Sequence, residues 1–304
     1  MPHVTNSLRA SNARDALNAR EQGSRRPGPF RRAGDVWRYR ELLINLTRKE
    51  LKVKYKNSAL GFVWSLLNPA LYLVVFYLVF QVILQSGIPY FPIYLLSGLL
   101  PWNLFSTGLG GGTTSITSNS GLVGKVWFPR EILPLASIGA AMVHFFLQML
   151  VLGGALIVFR YAPSWEYVIL VIPALVTLLL FLTALAIALS AINVYLRDTE
   201  HLLELTMLAW FWITPIVYTY DQVADRIGSL YLLNPMVSIV IAFQRGIYGR
   251  TSYDTAAGPV KIIPDASVWW YLRNLAVVSV ASAALLLFAL WIFGRLEDNL
   301  AEEI

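Results

Sequence analysis

Residues 167–191, YVILVIPALVTLLLFLTALAIALSA, run without a charged side chain and exceed the ~20 apolar residues that a helix needs to cross ~30 Å of hydrocarbon. Five similar runs lie near 60–84, 92–116, 134–159, 202–219 and 268–293; the one at 202–219 is the shortest and carries Glu204 near one end. Composition agrees with a membrane chain. Of the 304 residues 57% are hydrophobic and only 14% charged, with a mean hydropathy of +0.58, whereas a soluble domain carries about 25% charged residues. The expected fold is an all-α membrane protein with six transmembrane helices. A further apolar stretch, 229–247 (SLYLLNPMVSIVIAFQRGI), is divided by Asn234-Pro235 and reads as short re-entrant or gate helices between spans five and six.

Net charge is +6, and 14 of the 24 Lys and Arg fall in the first 56 residues. Such a block suits a cytosolic flank drawn to anionic lipid better than a nucleic-acid arm, so no nucleic-acid partner is expected. Residues 1–34 are polar and punctuated by Pro and Gly, which reads as a disordered basic tail, with no apolar core of a signal peptide. From 35 to 56 the pattern changes: Val36, Tyr39, Leu43, Leu46 and Val53 recur at helical spacing, with Arg38, Glu41, Asn45, Arg48, Lys49, Lys52 and Lys56 opposite. This is an amphipathic interface helix on the membrane surface, with Asp35 placed to cap it. Basic flanks at Arg48–Lys56, Lys125, Arg130 and Arg197 put both termini in the cytosol.

Ion-coupled transport needs ionisable groups at depth. Five of the six spans have no Asp, Glu or Lys, and His144 alone titrates near a span centre, where a helix-to-helix hydrogen bond accounts for it as well as function does. The absence of cysteine rules out disulfides and thiolate metal sites. Gly121-Leu-Val-Gly124-Lys125-Val126 lacks both the glycine spacing of a phosphate loop and the Ser or Thr that would hold magnesium. The chain therefore has no cofactor of its own, and any ATP and magnesium belong to a partner subunit.

Between two apolar runs, Arg197, Asp198, Glu200, His201 and Glu204 are crowded together. A metal site would need ligands that the other two histidines, His3 and His144, are badly placed to give. Paired carboxylates Asp198 and Glu204 would make a general acid and base on a lipid-linked substrate. A short cytosolic turn, solvated or gripped by a soluble partner, explains the same charges without chemistry, so no catalytic or metal residue is assigned. Trp64, Tyr72, Phe76 and Phe80 step by four along the first span, as Trp210, Thr214 and Tyr218 do in the fifth with Phe211 beside them. Such stripes either line a channel that lets a sugar chain slide or pack helices together.

Three blocks resemble a known family. They are Tyr55-Lys-Asn-Ser-Ala-Leu-Gly-Phe-Val-Trp-Ser-Leu-Leu-Asn-Pro69, Lys125-Val-Trp-Phe-Pro-Arg-Glu-Ile-Leu-Pro134, and the run from Tyr195-Leu-Arg-Asp198 through Phe211-Trp-Ile-Thr-Pro-Ile-Val-Tyr218 to Leu233-Asn-Pro235. In order and spacing these are similar to type-2 ABC permeases that export O-antigen, teichoic-acid and related polysaccharides. The resemblance covers about 35–295 and implies a homodimer of six-span subunits over two copies of a separate ABC ATPase, in a bacterial plasma membrane.

The same resemblance implies the roles of particular residues. Lys125, Phe128, Pro129, Arg130, Glu131, Arg197, Asp198, Glu200 and His201 would transmit ATPase closure. Lys52, Lys54 and Lys56 with Leu60 and Gly61 would admit a polyprenyl-diphosphate head, although a positive flank explains the lysines equally well. Trp64, Tyr72, Phe76, Trp210, Phe211 and Tyr218 are the channel candidates. Asn234, Pro235 and Arg245 belong to an external gate at 220–266, within a permease domain at 57–295 and before a cytosolic tail at 296–304. The implied cargo is a lipid-linked cell-wall galactan or O-antigen-like glycan; export of a small hydrophobic molecule and a membrane-embedded glycosyl- or phosphotransferase are the alternatives.

Overall fold

The computed structural model describes residues 34, 36–56, 63–126, 128–255 and 258–296. The expected N-terminal tail, the Asp35 cap, the Leu60-Gly61 turn and most of the C-terminal tail lie outside them. Helix α1 is Arg40–Tyr55, α2 Trp64–Tyr77, α3 Phe91–Thr114, α4 Ile132–Val158, α5 Val171–Tyr195, α6 Thr199–Ile213, α7 Asp221–Ile227, α8 Pro235–Ile247 and α9 Val268–Leu296. Among the described residues α4, α9 and α5 with its short leading turn, Trp165–Tyr195, are long and apolar enough to cross a membrane. The bent pair made by α7, its following turn and α8 would be a fourth span if counted as one.

The six expected spans are thus not all long, uniformly apolar helices. α2 holds 14 residues and continues into a π-helical turn at Leu78–Ile83. α3 is 24 residues long but is diluted by Pro, Gly, Ser and Thr. The largest departure is at 202–219, where α6 ends at Ile213. Thr214 is extended (φ −103°, ψ 136°) because the ring of Pro215 disfavours a helical residue before it. The four-residue stripe expected through Thr214 to Tyr218 therefore does not form.

α3 is the central post. Its first half is buried almost continuously, against α8 and against α4 and α5. Close approach depends on two missing side chains. A Cβ at Gly112 would stand 2.8 Å from the Ala186 Cβ on α5, and one at Gly98 would stand 2.9 Å from the Gln244 amide nitrogen on α8. α5 and α9 are held together by apolar packing and by a 2.8 Å contact between the Thr177 and Ser279 hydroxyls.

After α6 the chain passes through the interior. Thr214, Pro215, Ile216 and Val217 are all buried, and every residue of α8 from Met236 to Ile247 is buried too. The chain bends by 113° between α7 with its 3-10 turn and α8, at Asn234-Pro235 where the sequence pattern divides. Asn234 caps α8 by accepting from Met236 N at 3.0 Å, and Pro235 fills the first helical position, whose amide would have no partner anyway. An antiparallel hairpin follows, β1 Ser252–Thr255 and β2 Gly258–Lys261, with Ser252 opposite Lys261. The all-α expectation did not include it. Tyr253 donates to Ser86 O (2.8 Å) and Tyr248 to Pro89 O (2.8 Å), so this region clasps the α2–α3 turn.

At the other end α1 lies on α4. Leu46 joins Phe128, Ile132, Leu133, Ala136, Val194 and Phe293 in a separate apolar cluster, and Thr47 Oγ1 fits beside Gly139, donating to Leu43 O (2.9 Å). Val53, on the apolar side of the sequence pattern expected to lie along the membrane surface, is 59% exposed.

Two stability outcomes are expected. Gly112→Leu should destabilise the bundle by about 1–3 kcal/mol through overpacking against Ala186, read as a lower melting midpoint in detergent. Asn234→Ala should cost about 1 kcal/mol from the lost cap and increase amide exchange in the first turn of α8 with α5 unaffected.

Candidate functional site

One end of the bundle gathers both expected coupling turns. The first begins with exposed Lys125 and is pinned by buried Phe128 and Pro129, after which Arg130 is half-buried and Glu131 only 2% exposed. Phe128 reaches the apolar cluster that also holds Leu46 of α1. The second turn, Leu196–Asp198, joins α5 to α6, with Thr199 donating to Leu196 O at 2.6 Å. Arg197, Asp198, Glu200, His201 and Glu204 are all exposed. The two turns belong to one end because Ile187, Ala191 and Val194, near the close of α5, share the Phe128 cluster, and Tyr195 OH donates to Leu296 O at 3.0 Å. Among the described residues no group of three or more His, Asp or Glu is arranged to hold a metal. Solvated carboxylates of this kind fit a gripped surface better than a general acid, which enzymes usually tune by burial.

The aromatic candidates separate into two sets. Tyr72 stacks on Phe76 (centroids 6.1 Å), and Phe76 stacks on Phe211 of α6 (6.3 Å), so α2 and α6 meet through these rings. Tyr72 remains 50% exposed and Trp64 is exposed beside the same run. Trp210 points the other way. It meets Phe105 edge-on at 5.3 Å and Phe181 at 6.1 Å, and its indole donates to Asn234 Oδ1 at 2.8 Å. Tyr218 is half-buried, its hydroxyl donating to Trp212 O (2.9 Å) and lying 3.1 Å from Tyr231 OH. Trp212, exposed next to Phe211, was missed by a search for four-residue steps.

A groove of about 470 Å³ runs between α3 and α6. Ser106, Thr107, Thr113 and Thr114 line it on one side and Glu200, Glu204 and Met207 on the other. Sequence reasoning passed over it, because hydroxyls scattered through an apolar run carry no strong pattern.

At the opposite end Arg245 is 6% exposed. Its guanidinium stands 3.8 Å from the Tyr167 ring centroid and 3.6 Å from the Asp265 carboxylate, and it donates to Gly249 O. Asn234, Pro235 and Arg245 thus sit at the start and in the last turn of one buried helix. Of the expected entrance residues, Lys52, Lys54 and Lys56 are all exposed, and Lys54 also lines a cavity beside α3 and α4. Leu60 and Gly61 fall outside the described residues.

Known proteins give this arrangement a context. The O-antigen export system permease protein RfbA of Myxococcus xanthus is 38% identical over 275 residues, covering 89% of this chain and 98% of that protein. RfbA of Klebsiella pneumoniae is 29% identical over 204 residues, 67% of this chain and 79% of its own length. The polysialic acid transport protein KpsM of Escherichia coli is 23% identical over 201 residues, 63% of this chain and 75% of that protein. Residues 41–248, which hold both turns, the aromatic rings and α8, match the ABC-2 type transporter family, and the chain belongs to it: it is an integral membrane permease of the ABC-2 type.

Proposed function

We propose that the chain is the transmembrane subunit of an ATP-driven exporter that moves a lipid-linked polysaccharide, on a polyprenyl diphosphate such as that of a cell-wall galactan or O-antigen-like glycan, outward across the bacterial inner membrane. The carrying observation is the similarity to an O-antigen export permease along nearly the whole of both chains. In this reading two copies form the channel, each contributing six spans, with both termini in the cytosol. Two ABC ATPase subunits beneath them bind the ATP and magnesium, so the permease itself is not an enzyme.

The gathering of Lys125–Glu131, Arg197–His201 and α1 at one end supports a shared docking surface for that ATPase. Exposed charge with a buried anchor, as Phe128 provides, is what a lever needs: a grip outside and a rigid root inside. The α7–α8 region with its hairpin acts as the outer gate, Asn234 and Arg245 holding it shut. Tyr72, Phe76 and Phe211 form an aromatic face on which pyranose or furanose rings slide, while Trp210 and Tyr218 brace it. Lys52, Lys54 and Lys56 with the Leu60-Gly61 turn receive the diphosphate, whose oxygens suit charged donors.

Depletion of the protein should make a polyprenyl-linked glycan accumulate inside cells, measured by mass spectrometry of extracted lipids; accumulation of a small hydrophobic molecule instead would move the reading to drug-type export. Arg197→Ala and Asp198→Ala should each leave the permease in the membrane with its ATPase bound while ATP hydrolysis proceeds without export; coupled transport at wild-type rates in both would refute the lever. Replacing Tyr72 and Phe76 together by Leu should lower export severalfold with assembly intact, since stacking is worth about 0.5–1.5 kcal/mol per ring pair.

A further inference from the structure

The turn that follows α3 is met by side chains from both α1 and α5. Residues Thr117–Asn119 form a 3-10 turn, and a one-turn helix, Ser120–Val123, leads from it to the first coupling turn at Lys125. Ile116 and Val123, on either side, are buried in the apolar cluster that holds Leu46 of α1, Phe128, and Ala191 and Val194 of α5. Apolar contact is non-directional and lets helices slide. Hydrogen bonds have a preferred geometry, so the register between these parts is set by the polar groups beside the cluster.

Lys49 of α1 donates to Asn119 Oδ1 at 2.6 Å, while Asn119 Nδ2 donates to Ser115 O at 2.8 Å and so ties the amide to the end of α3. Asn119 is 7% exposed, and a charge-assisted bond to a buried acceptor is a strong one. From the other side Asn193, close to the end of α5, points its amide nitrogen at Thr117 Oγ1 from 3.5 Å, longer than the usual range of about 2.7–3.2 Å. Asn193 is 2% exposed, and its Oδ1 is buried without a hydrogen-bond partner. A buried amide with one long bond and one orphan oxygen is an incomplete hold, because the oxygen has given up its hydration and received nothing in return. α5 ends at Tyr195 and passes directly into the second coupling turn, Leu196–Asp198.

We infer that the Thr117–Asn119 turn is a clutch between the interface helix and α5, with Lys49 and Asn193 as its positioning residues. Lys49 fixes the turn to α1, and Asn193 engages it from α5 only when the coupling turns are driven together. A small approach of α5 shortens the Asn193–Thr117 contact, matches the orphan oxygen and makes α1, the turn and α5 move as one body. What drives the approach, an ATPase at the coupling turns, rests on the export reading above; the Lys49 hold does not.

The test compares Lys49→Met, Asn193→Leu and the double variant in the full chain with its ATPase partner. In inverted membrane vesicles from cells that make the native glycan, the readout is ATP hydrolysed per lipid-linked glycan moved into the lumen. Either single change should raise that ratio about fivefold or more, and the double variant should be no worse than either alone, since two links in series fail together. Lys49→Arg, which keeps a charged donor, should recover most of the coupling. A second measurement needs no cargo: amide hydrogen exchange across residues 115–120 of the purified permease should be about tenfold faster in Lys49→Met than in wild type. Ratios within about twofold of wild type in both single variants, effects that multiply in the double variant, or unchanged exchange in Lys49→Met overturn the inference. Wild-type vesicles that move no glycan with ATP would remove the export reading instead; the exchange result then decides the Lys49 hold by itself, faster exchange supporting it.

Discussion

A chain that leaves regular helix inside a membrane bundle must find protein partners for every backbone group it frees, because lipid offers none. The break between α6 and α8 meets that demand with side chains from three elements. Gln244 donates to Pro215 O (2.8 Å), Tyr94 donates to Tyr218 O (2.5 Å), Thr214 donates back to Trp210 O (2.8 Å), and Asn234 receives both the Trp210 indole and the Met236 amide. Remove these and the stretch from Thr214 to Tyr220 has no reason to stay inside. The bend at Asn234-Pro235, the packing of α3 against α8 and the position of Trp210 all follow from this one requirement.

The same constraint separates the molecule into a working end and a sealed end. Near the Asn234 bend Trp210, Thr214, Asn234 and the Gln244 amide nitrogen are hydrogen-bonded within the protein, whereas Ser238 Oγ, Gln244 Oε1 and Arg245 Nε are buried without a hydrogen-bond partner. At the end carrying Lys125 and Arg197 most charges are turned outward, with Glu131 the buried exception, and Phe128, Leu46 and Val194 are among the side chains that turn in. α3 and α5 connect the two, with Gly112 against Ala186 setting their spacing.

Much of this was legible in the chain itself. Hydropathy located the apolar segments because lipid demands length and composition together, and Asn234-Pro235 marked the bend because both residues suit a helix start and neither suits a helix interior. The run 202–219 misled because hydropathy is blind to Pro215, whose effect on Thr214 is steric. The hairpin 252–261 was invisible for a related reason: its strands are only four residues each, and they are held by Tyr253 reaching Ser86, a contact made far along the chain. Trp210 and Phe211 looked alike in sequence, yet one faces Phe105 and the other Phe76; only the helix's final orientation decides that. The cavity beside Lys54 could not be read either, since its lining comes from three helices far apart in the chain.

The unbroken burial of Met236–Ile247 bears on electrical insulation. Across a membrane charged to roughly 100 mV each ion that leaks through a permease dissipates about 2.3 kcal/mol. From Met236 to Ile247 α8 offers no wetted face, with Gln244 donating to Pro215 O and Gly98 close against Gln244. In the proposed exporter, a helix buried in this way would limit how much of the ion gradient leaks between transport events.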